Sequence, residues 1–202
     1  MSGLHGVILA GGISSRMGFP KALMPIGDSF FLLSIYTKLV ESGAAPVHIV
    51  INTGLQSSLN AQMSRFPEAR FVLNREPAHG QIHSLRLGLA QARDAGAAGA
   101  MVALVDQPLV APSTVRALAE AAGREPDKLV VPRCGGKRGH PYVVPAALFC
   151  AFTDAAAGAT ARDVLDAHAA DAVYVEVNDE GIHQDVDTPE DMARLSLSED
   201  MD

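Results

Sequence analysis

The stretch Val7–Gly27 reads VILAGGISSRMGFPKALMPIG. Val7-Ile8-Leu9-Ala10 is a short continuous apolar run, the pattern of a strand buried on both faces of a parallel sheet. Gly11-Gly12 follows at once, then Ser14, Ser15, Arg16, Gly18 and Lys21, before the chain turns apolar again at Ala22-Leu23-Met24. In an open parallel sheet, ligands bind outside the carboxyl ends of the strands. Glycines at that edge let main-chain amides approach a ligand closely, and consecutive amides form a nest for anions. Arg16 and Lys21 add two long cations. The stretch therefore predicts a phosphate-holding loop after the first strand. It is neither GxGxxG nor GxxxxGK[ST], because Lys21 stands between Pro20 and Ala22. The competing reading is a surface turn that carries an arginine and a lysine.

Outward from this loop, apolar runs alternate with segments of helical period. Strands are predicted over His5–Ala10, Val47–Asn52, Arg70–Asn74, Ala100–Val105, Leu129–Pro132, Tyr142–Val144 and Val173–Val177. Leu32, Ile35, Tyr36, Leu39 and Val40 form an i, i+3, i+4, i+7, i+8 stripe. Ile82, Leu85, Leu89 and Ala92 form a second, and Val115, Leu118, Ala119 and Ala122 a third, with Gly123 as its expected stop. Ala155–Ala161 and Ala167–Ala172 read as helix. A last helix is expected to open at Thr188-Pro189-Glu190-Asp191, with Thr188 as N-cap. The alternation predicts an α/β fold, a Rossmann-like three-layer α/β/α arrangement with a mostly parallel sheet. The irregular run after residue 129 predicts an antiparallel excursion.

The chain has 202 residues, of which 48% are hydrophobic, enough for one buried core. No linker divides it, so one domain is expected over residues 1–195, with 196–202 as a flexible acidic tail. A formal net charge of -7 argues against nucleic acid or an anionic membrane surface as partner. Two cysteines without a CxxC support neither a disulfide framework nor a zinc ribbon. The opening MSGLHGVILAGG lacks a basic region followed by a long apolar run, and no stretch has the length of a membrane span. A cytoplasmic protein is expected.

Five segments in order carry a resemblance to a known family. LAGGISSRMGFPKALMPIG looks like the signature of the MobA-like nucleotidyltransferases. Asn74 with Gly80, Ser84, Leu85 and Gly88 resembles that family's Asn…Gly…Ser-Leu…Gly stretch. Leu104-Val105-Asp106-Gln107-Pro108 resembles its strand-end aspartate motif. Arg138-Gly139-His140-Pro141 is similar to the RGHP segment of the molybdenum cofactor cytidylyltransferase branch, and Asp185–Asp191, DVDTPED, to its closing DIDTPED. The branch is not settled by these segments: Ala10-Gly11-Gly12 is similar to the LAGG of guanylyl transfer to molybdopterin, whereas the cytidylyl branch more often has LAAG.

The resemblance implies nucleotidyl transfer from CTP or GTP to a molybdopterin-type phosphate acceptor, with release of pyrophosphate. A molybdoenzyme or its chaperone would then receive the product. Leu9, Ala10, Gly11, Gly12, Ser14, Asn74, Gly80 and Ser84 would hold the nucleotide. Arg16 and Lys21 would neutralise its phosphates. Asp106 lies at a predicted strand's carboxyl end, and two carboxylates facing a triphosphate suit Mg²⁺, which takes few hard oxygen ligands and keeps waters. Asp106 and Asp187 are the candidate pair, with Asp185 competing for the second place. Catalysis would rest on Arg16, Lys21 and Asp106 through positioning and charge.

Gln107, Lys137, Arg138, His140 and Arg162 are the candidate acceptor contacts. Arg133–Pro141 holds three formal cations, His140 and no acid, although an ordinary solvated hairpin has the same composition. Arg162 equally suits a surface helix. His79-Gly80-Gln81-Ile82-His83 has HxxxH spacing, but Gly80 interrupts it and no third ligand stands out, so zinc is not expected there. Gln81-Ile82-His83 also departs from the small polar residues that the family has before Ser84. Cys134 lacks the partners of a nucleophile. Two alternatives stay open: another acceptor, such as a sugar or polyol phosphate, and a non-catalytic module that binds and delivers a cofactor.

Overall fold

The computed structural model describes residues 3–12, 19–156, 158–187 and 191. Ser14, Arg16, the helix start at Thr188-Pro189-Glu190 and the 196–202 tail lie outside the described residues.

The first strand, β1 (Leu4–Ala10), is buried along nearly its whole length. It leads to a small ribbon, β2 (Pro25–Ile26) and β3 (Ser29–Phe30), closed at Gly27 with a φ of 49°. Then follow α1 (Phe31–Glu41), β4 (Val47–Asn52), α2 (Thr53–Leu59), β5 (Ala69–Asn74) and α3 (Gln81–Asp94). The second half runs β6 (Gly99–Leu104), α4 (Pro112–Arg124), β7 (Val130–Cys134), β8 (Lys137–Arg138), β9 (Tyr142–Pro145), α5 (Phe149–Thr153), α6 (Ala161–Ala167) and β10 (Val173–Glu176).

The main sheet has the order β10-β7-β9-β6-β1-β4-β5, with β8 paired to β7. β1 pairs in parallel with β4 on one side, Ile8 opposite Ile49, and with β6 on the other, Ile8 opposite Ala103. β9 runs antiparallel between β6 and β7, which is the excursion expected after residue 129. The chain therefore leaves β1 toward β4 and β5, then crosses back through α3 to β6 on the far side. That reversal makes β1 the switch point of the sheet, and it leaves a crevice beyond its carboxyl end.

Alternation along β1 divides the core between two layers. Ile8 packs with Leu32, Ile35 and Leu39 of α1 and Leu118 of α4. Val7 and Leu9 pack on the opposite face with Leu85 and Leu89 of α3 and Phe149 and Phe152 of α5. Gly88 of α3 is set by this packing, since an added Cβ would lie 2.5 Å from Val7 Cγ1. Among the described residues no helix is long and apolar enough to cross a membrane.

Several expectations need correction at their edges. Gly123 does not end its helix: α4 continues to Arg124 and is capped by Glu125. The described part of Ala155–Ala161 is loop up to the start of α6, because Gly158 takes a φ of 84° and Thr160 forms a capping box with Asp163. Ala167–Ala172 is the end of α6 and a 3-10 turn. Local turn and cap chemistry overrides alanine's helix propensity in both segments.

Two core histidines face each other across β1 and β4. His5 Nδ1 lies 3.1 Å from His48 Nε2, and the rings stack at 5.3 Å. His48 is 0% exposed, and among the described residues its Nδ1 has no partner. Burial, then His5 and Arg70, push the His48 pKa down to about 4. The folded form thus resists a proton that the unfolded chain accepts near 6.5. Stability from this site is complete above pH 6.5 and is lost as pH falls toward 4. We expect the folding free energy to drop by about 2 kcal/mol from pH 7 to pH 5 on account of His48. Urea unfolding at both pH values checks this, with His48→Gln expected to flatten the dependence.

Candidate active site

The crevice at the end of β1 is a cavity of about 740 Å³. Leu9, Ala10, Gly11 and Gly12 form its floor, Phe19, Pro20, Lys21 and Ala22 one wall, and Pro77, Ala78, Gly80, Gln81 and Ser84 the facing wall. Asn52, Leu55 and Asp106 complete it. These groups meet because β1, β4, β5 and β6 all end at one edge.

Each wall is fastened by side chains at strand ends. Asn52 caps α2 by accepting from Leu55 N at 2.8 Å, while its Nδ2 donates to Gly12 O at 3.1 Å. Asn74, fully buried directly opposite Asn52 in the register, donates to Ser84 Oγ at 2.9 Å and accepts from Glu76 N at 2.8 Å. The segment between β5 and α3 is thereby closed on itself. A Cβ on Gly11 would come 3.1 Å from Ser84 Oγ, a tight contact that the hydroxyl would have to relieve by a few tenths of an ångström.

Charge gathers at the mouth. Lys21 Nζ lies 3.8 Å from Asp106 Oδ2 and forms a close ion pair with Asp187 Oδ1. Val186 N donates to Asp106 O at 2.8 Å, which holds the 185–187 segment against the end of β6. Burial, reinforced by Asp185 and Asp187 and opposed by Lys21, raises the Asp106 pKa. A buried carboxylate beside two others favours a cation in its neighbourhood. Asp185 is engaged elsewhere, accepting from Gln107 Nε2 at 2.7 Å.

The structure thus brings Leu9, Ala10, Gly11, Gly12, Lys21, Gly80, Ser84 and Asp106 around one cavity, with Asn74 bracing Ser84 and Asp187 joined through Lys21. The candidate acceptor contacts stand apart from it. Gln107 is buried and turned to Asp185, and its Oε1 has no partner among the described residues. Lys137 and Arg138 are exposed on β8, where Arg138 pairs with Asp166 of α6. Arg162 is exposed on α6. His140 is not part of a cationic patch: burial pushes its pKa down to about 4, and its ring lies 5.1 Å from that of Tyr142.

The loop around His140 is shaped by contact with the 180s. Gly139 N donates to Pro132 O at 3.1 Å and His140 N to Ile182 O at 3.1 Å, and a Cβ on Gly139 would clash with the Ile182 carbonyl. Cys134 and Cys150 are both free thiols.

Sequence reasoning missed Asn52, because an Asn at a strand end reads as an ordinary turn residue. Its signal was the Asn52-Thr53-Gly54 step directly after a strong strand, a helix entry. It also missed Glu76, which stands with His79 and His83 where no third ligand was expected. The 3-10 turn Pro77–His79 folds Glu76 back beside both histidines.

The MobA-like NTP transferase domain matches residues 6–173. The chain belongs to that family. A nicotine blue oxidoreductase from Paenarthrobacter nicotinovorans is 32% identical over 198 residues, 94% of this chain and 95% of that protein. A probable molybdenum cofactor guanylyltransferase from Rhodopirellula baltica is 31% identical over 137 residues, 63% of this chain and 60% of that protein. The crystal structure of Rv0371c from Mycobacterium tuberculosis superposes with a TM-score of 0.79 at 26% identity, covering 95% of this chain and 97% of that one. Rv0371c has also been solved in complex with manganese, with a TM-score of 0.74, 26% identity and coverage of 96% and 98%. The nucleotidyltransferase fold expected from the sequence is the fold observed.

Asn74 joins the start of the wall segment to α3 through its two side-chain hydrogen bonds. Asn74→Ala leaves the Glu76 amide and the Ser84 hydroxyl without their partner. We expect a loss of about 1–3 kcal/mol in stability, measured by chemical denaturation. Ser84→Ala, which removes only one bond of the pair, is expected to cost less.

Proposed function

We propose that this NTP transferase transfers CMP or GMP from the corresponding NTP to a phosphate acceptor of the molybdopterin type and releases pyrophosphate. The observation that carries the reading is Lys21 beside both Asp106 and Asp187, at the mouth of a cavity floored by Gly11 and Gly12. A cation and two carboxylates over main-chain amides match a triphosphate and a divalent ion together.

In this reading the acceptor phosphate, already ionised near neutral pH, supplies the attacking oxygen. A bond forms from that oxygen to the α-phosphorus, and the bond from the α-phosphorus to the bridging oxygen breaks, with pyrophosphate leaving. Amides of the Leu9–Gly12 segment hold the nucleotide in place. Lys21, together with Arg16, neutralises the phosphates and the departing pyrophosphate. The donor set suits a divalent ion, because Asp106 and Asp187 already converge on a single cation, Lys21. Asp106 and Asp187 would hold Mg²⁺, which supplies charge neutralisation at the reacting phosphate. Asn74, Gly80 and Ser84 shape the wall against the nucleotide. Lys137, Arg138, Arg162 and the loop around Gln107 and His140 form the acceptor side, which in this structure lies outside the cavity itself.

Donor choice has support in both directions. Ala10-Gly11-Gly12 and the guanylyltransferase relatives favour GTP, while Arg138–Pro141 favours CTP. The test is mass spectrometry of products after incubation with molybdopterin, Mg²⁺ and each NTP. A dinucleotide product and pyrophosphate are expected with one donor strongly preferred; a product with neither overturns the reading for this acceptor. A panel of sugar and polyol phosphates covers the second acceptor class. The oxidoreductase relative, matched over nearly the whole chain, favours one further reading: an oxidoreductase. Reduction or oxidation of a dye substrate without pyrophosphate release would point there. Asp106→Ala is expected to lower turnover by about a hundredfold or more, with an unchanged circular dichroism spectrum. Turnover near that of the parent would remove Asp106 from the mechanism.

A further inference from the structure

Glu76, His79 and His83 form a cluster that the reading above does not use. His79 Nδ1 lies 3.5 Å from Glu76 Oε2, and His83 Nε2 lies 3.7 Å from the same oxygen. The three candidate ligand atoms are all within 4.8 Å of one another, and the two rings stand almost perpendicular, at 86°.

These distances are too long for hydrogen bonds, which for N–H···O fall near 2.7–3.2 Å. The two N···O separations, 3.5 and 3.7 Å, are close to what a shared ion gives. Zinc bonds of about 2.0–2.2 Å to imidazole nitrogen and carboxylate oxygen at tetrahedral angles put ligand atoms roughly 3.4 Å apart. We propose that Glu76, His79 and His83 form a binding site for one divalent transition-metal ion of the zinc class. Two imidazoles and a carboxylate are a borderline nitrogen–oxygen set, which suits Zn²⁺ and not Mg²⁺ or Ca²⁺. Water fills the remaining position, as the exposure of Glu76 and His79 allows.

The backbone that carries the ligands is already fixed. Asn74 Oδ1 accepts from Glu76 N, His79 N donates to Glu76 O at 3.0 Å, and Gly80 turns the chain with a φ of 81° into α3, where His83 sits in the first turn. Little ordering is left for the ion to impose. The cluster spans both halves of a cavity wall, since Pro77, Ala78, Gly80 and Gln81 between its ligands line the cavity. A bound ion ties the 3-10 turn to α3. The site is distinct from the Asp106–Asp187 pair and does not depend on nucleotidyl transfer.

The test is calorimetric titration of the untagged full chain with ZnCl₂ in excess Mg²⁺, which occupies hard carboxylate sites. One Zn²⁺ per chain is expected. His79→Ala and His83→Ala are each expected to weaken binding by about tenfold or more, while Asp106→Ala leaves it unchanged. His79→Ala changes an exposed side chain, so a variant that keeps the parent's circular dichroism spectrum remains available even if His83→Ala does not fold. Absence of binding to the parent overturns the proposal. So does unchanged affinity in folded His79→Ala or His83→Ala, or a loss in Asp106→Ala as large as in the histidine variants.

Discussion

The structure depends on β1 pairing in parallel on both sides with strands that the chain reaches in opposite directions. β4 comes directly after α1, and β6 only after the path has gone out to β5 and returned through α3. Connections cannot cover the end of β1 from both sides at once, so the edge stays open there. Asn52 and Asn74 end their strands at that edge and Gly11 and Asp106 follow theirs, which is why these residues gather at one crevice. The hydrophobic layers on either face, built around Leu32, Leu39 and Leu118 on one and Leu85, Leu89 and Phe149 on the other, keep the strands in that register.

Within the crevice, electrostatics and hydrogen bonding play separate parts. The two asparagines are neutral fasteners: Asn52 ties the glycine loop to α2, and Asn74 ties the opposite wall to itself. The charges sit at the mouth, where Lys21 meets Asp106 and Asp187. Burial, with Asp185 and Asp187 beside it, raises the pKa of Asp106 against the pull of Lys21. Such a group is a poor choice for stability alone, and a reasonable one where a cation is to be bound.

Much of this was legible from residue order. The strand at Val47–Asn52 and the stripes at Leu32–Val40 and Ile82–Ala92 were plain because apolar spacing reports the face that is buried. The glycine loop and Asp106 were legible because strand ends are where ligands meet a parallel sheet. What escaped were features made by turns. Glu76 comes to His79 and His83 through a 3-10 turn that has no apolar period. Asn52 acts through a cap, and the alanine-rich 155–161 segment yields to Gly158 and the Thr160–Asp163 box. The basic stretch 133–141 looked uniform in sequence, yet the structure sorts it. Lys137 and Arg138 face outward, while His140 turns inward and is held neutral.

Gly139 is locked by the Ile182 carbonyl, and Ile182 lies four residues before Val186, whose amide holds the end of β6. A side chain at position 139 would therefore press on the segment that leads to Asp187, whereas Lys137 and Arg138 are exposed, Arg138 pairing with Asp166 instead. The hairpin thus has an inner point joined to the carboxylate segment and an outer strand turned to solvent.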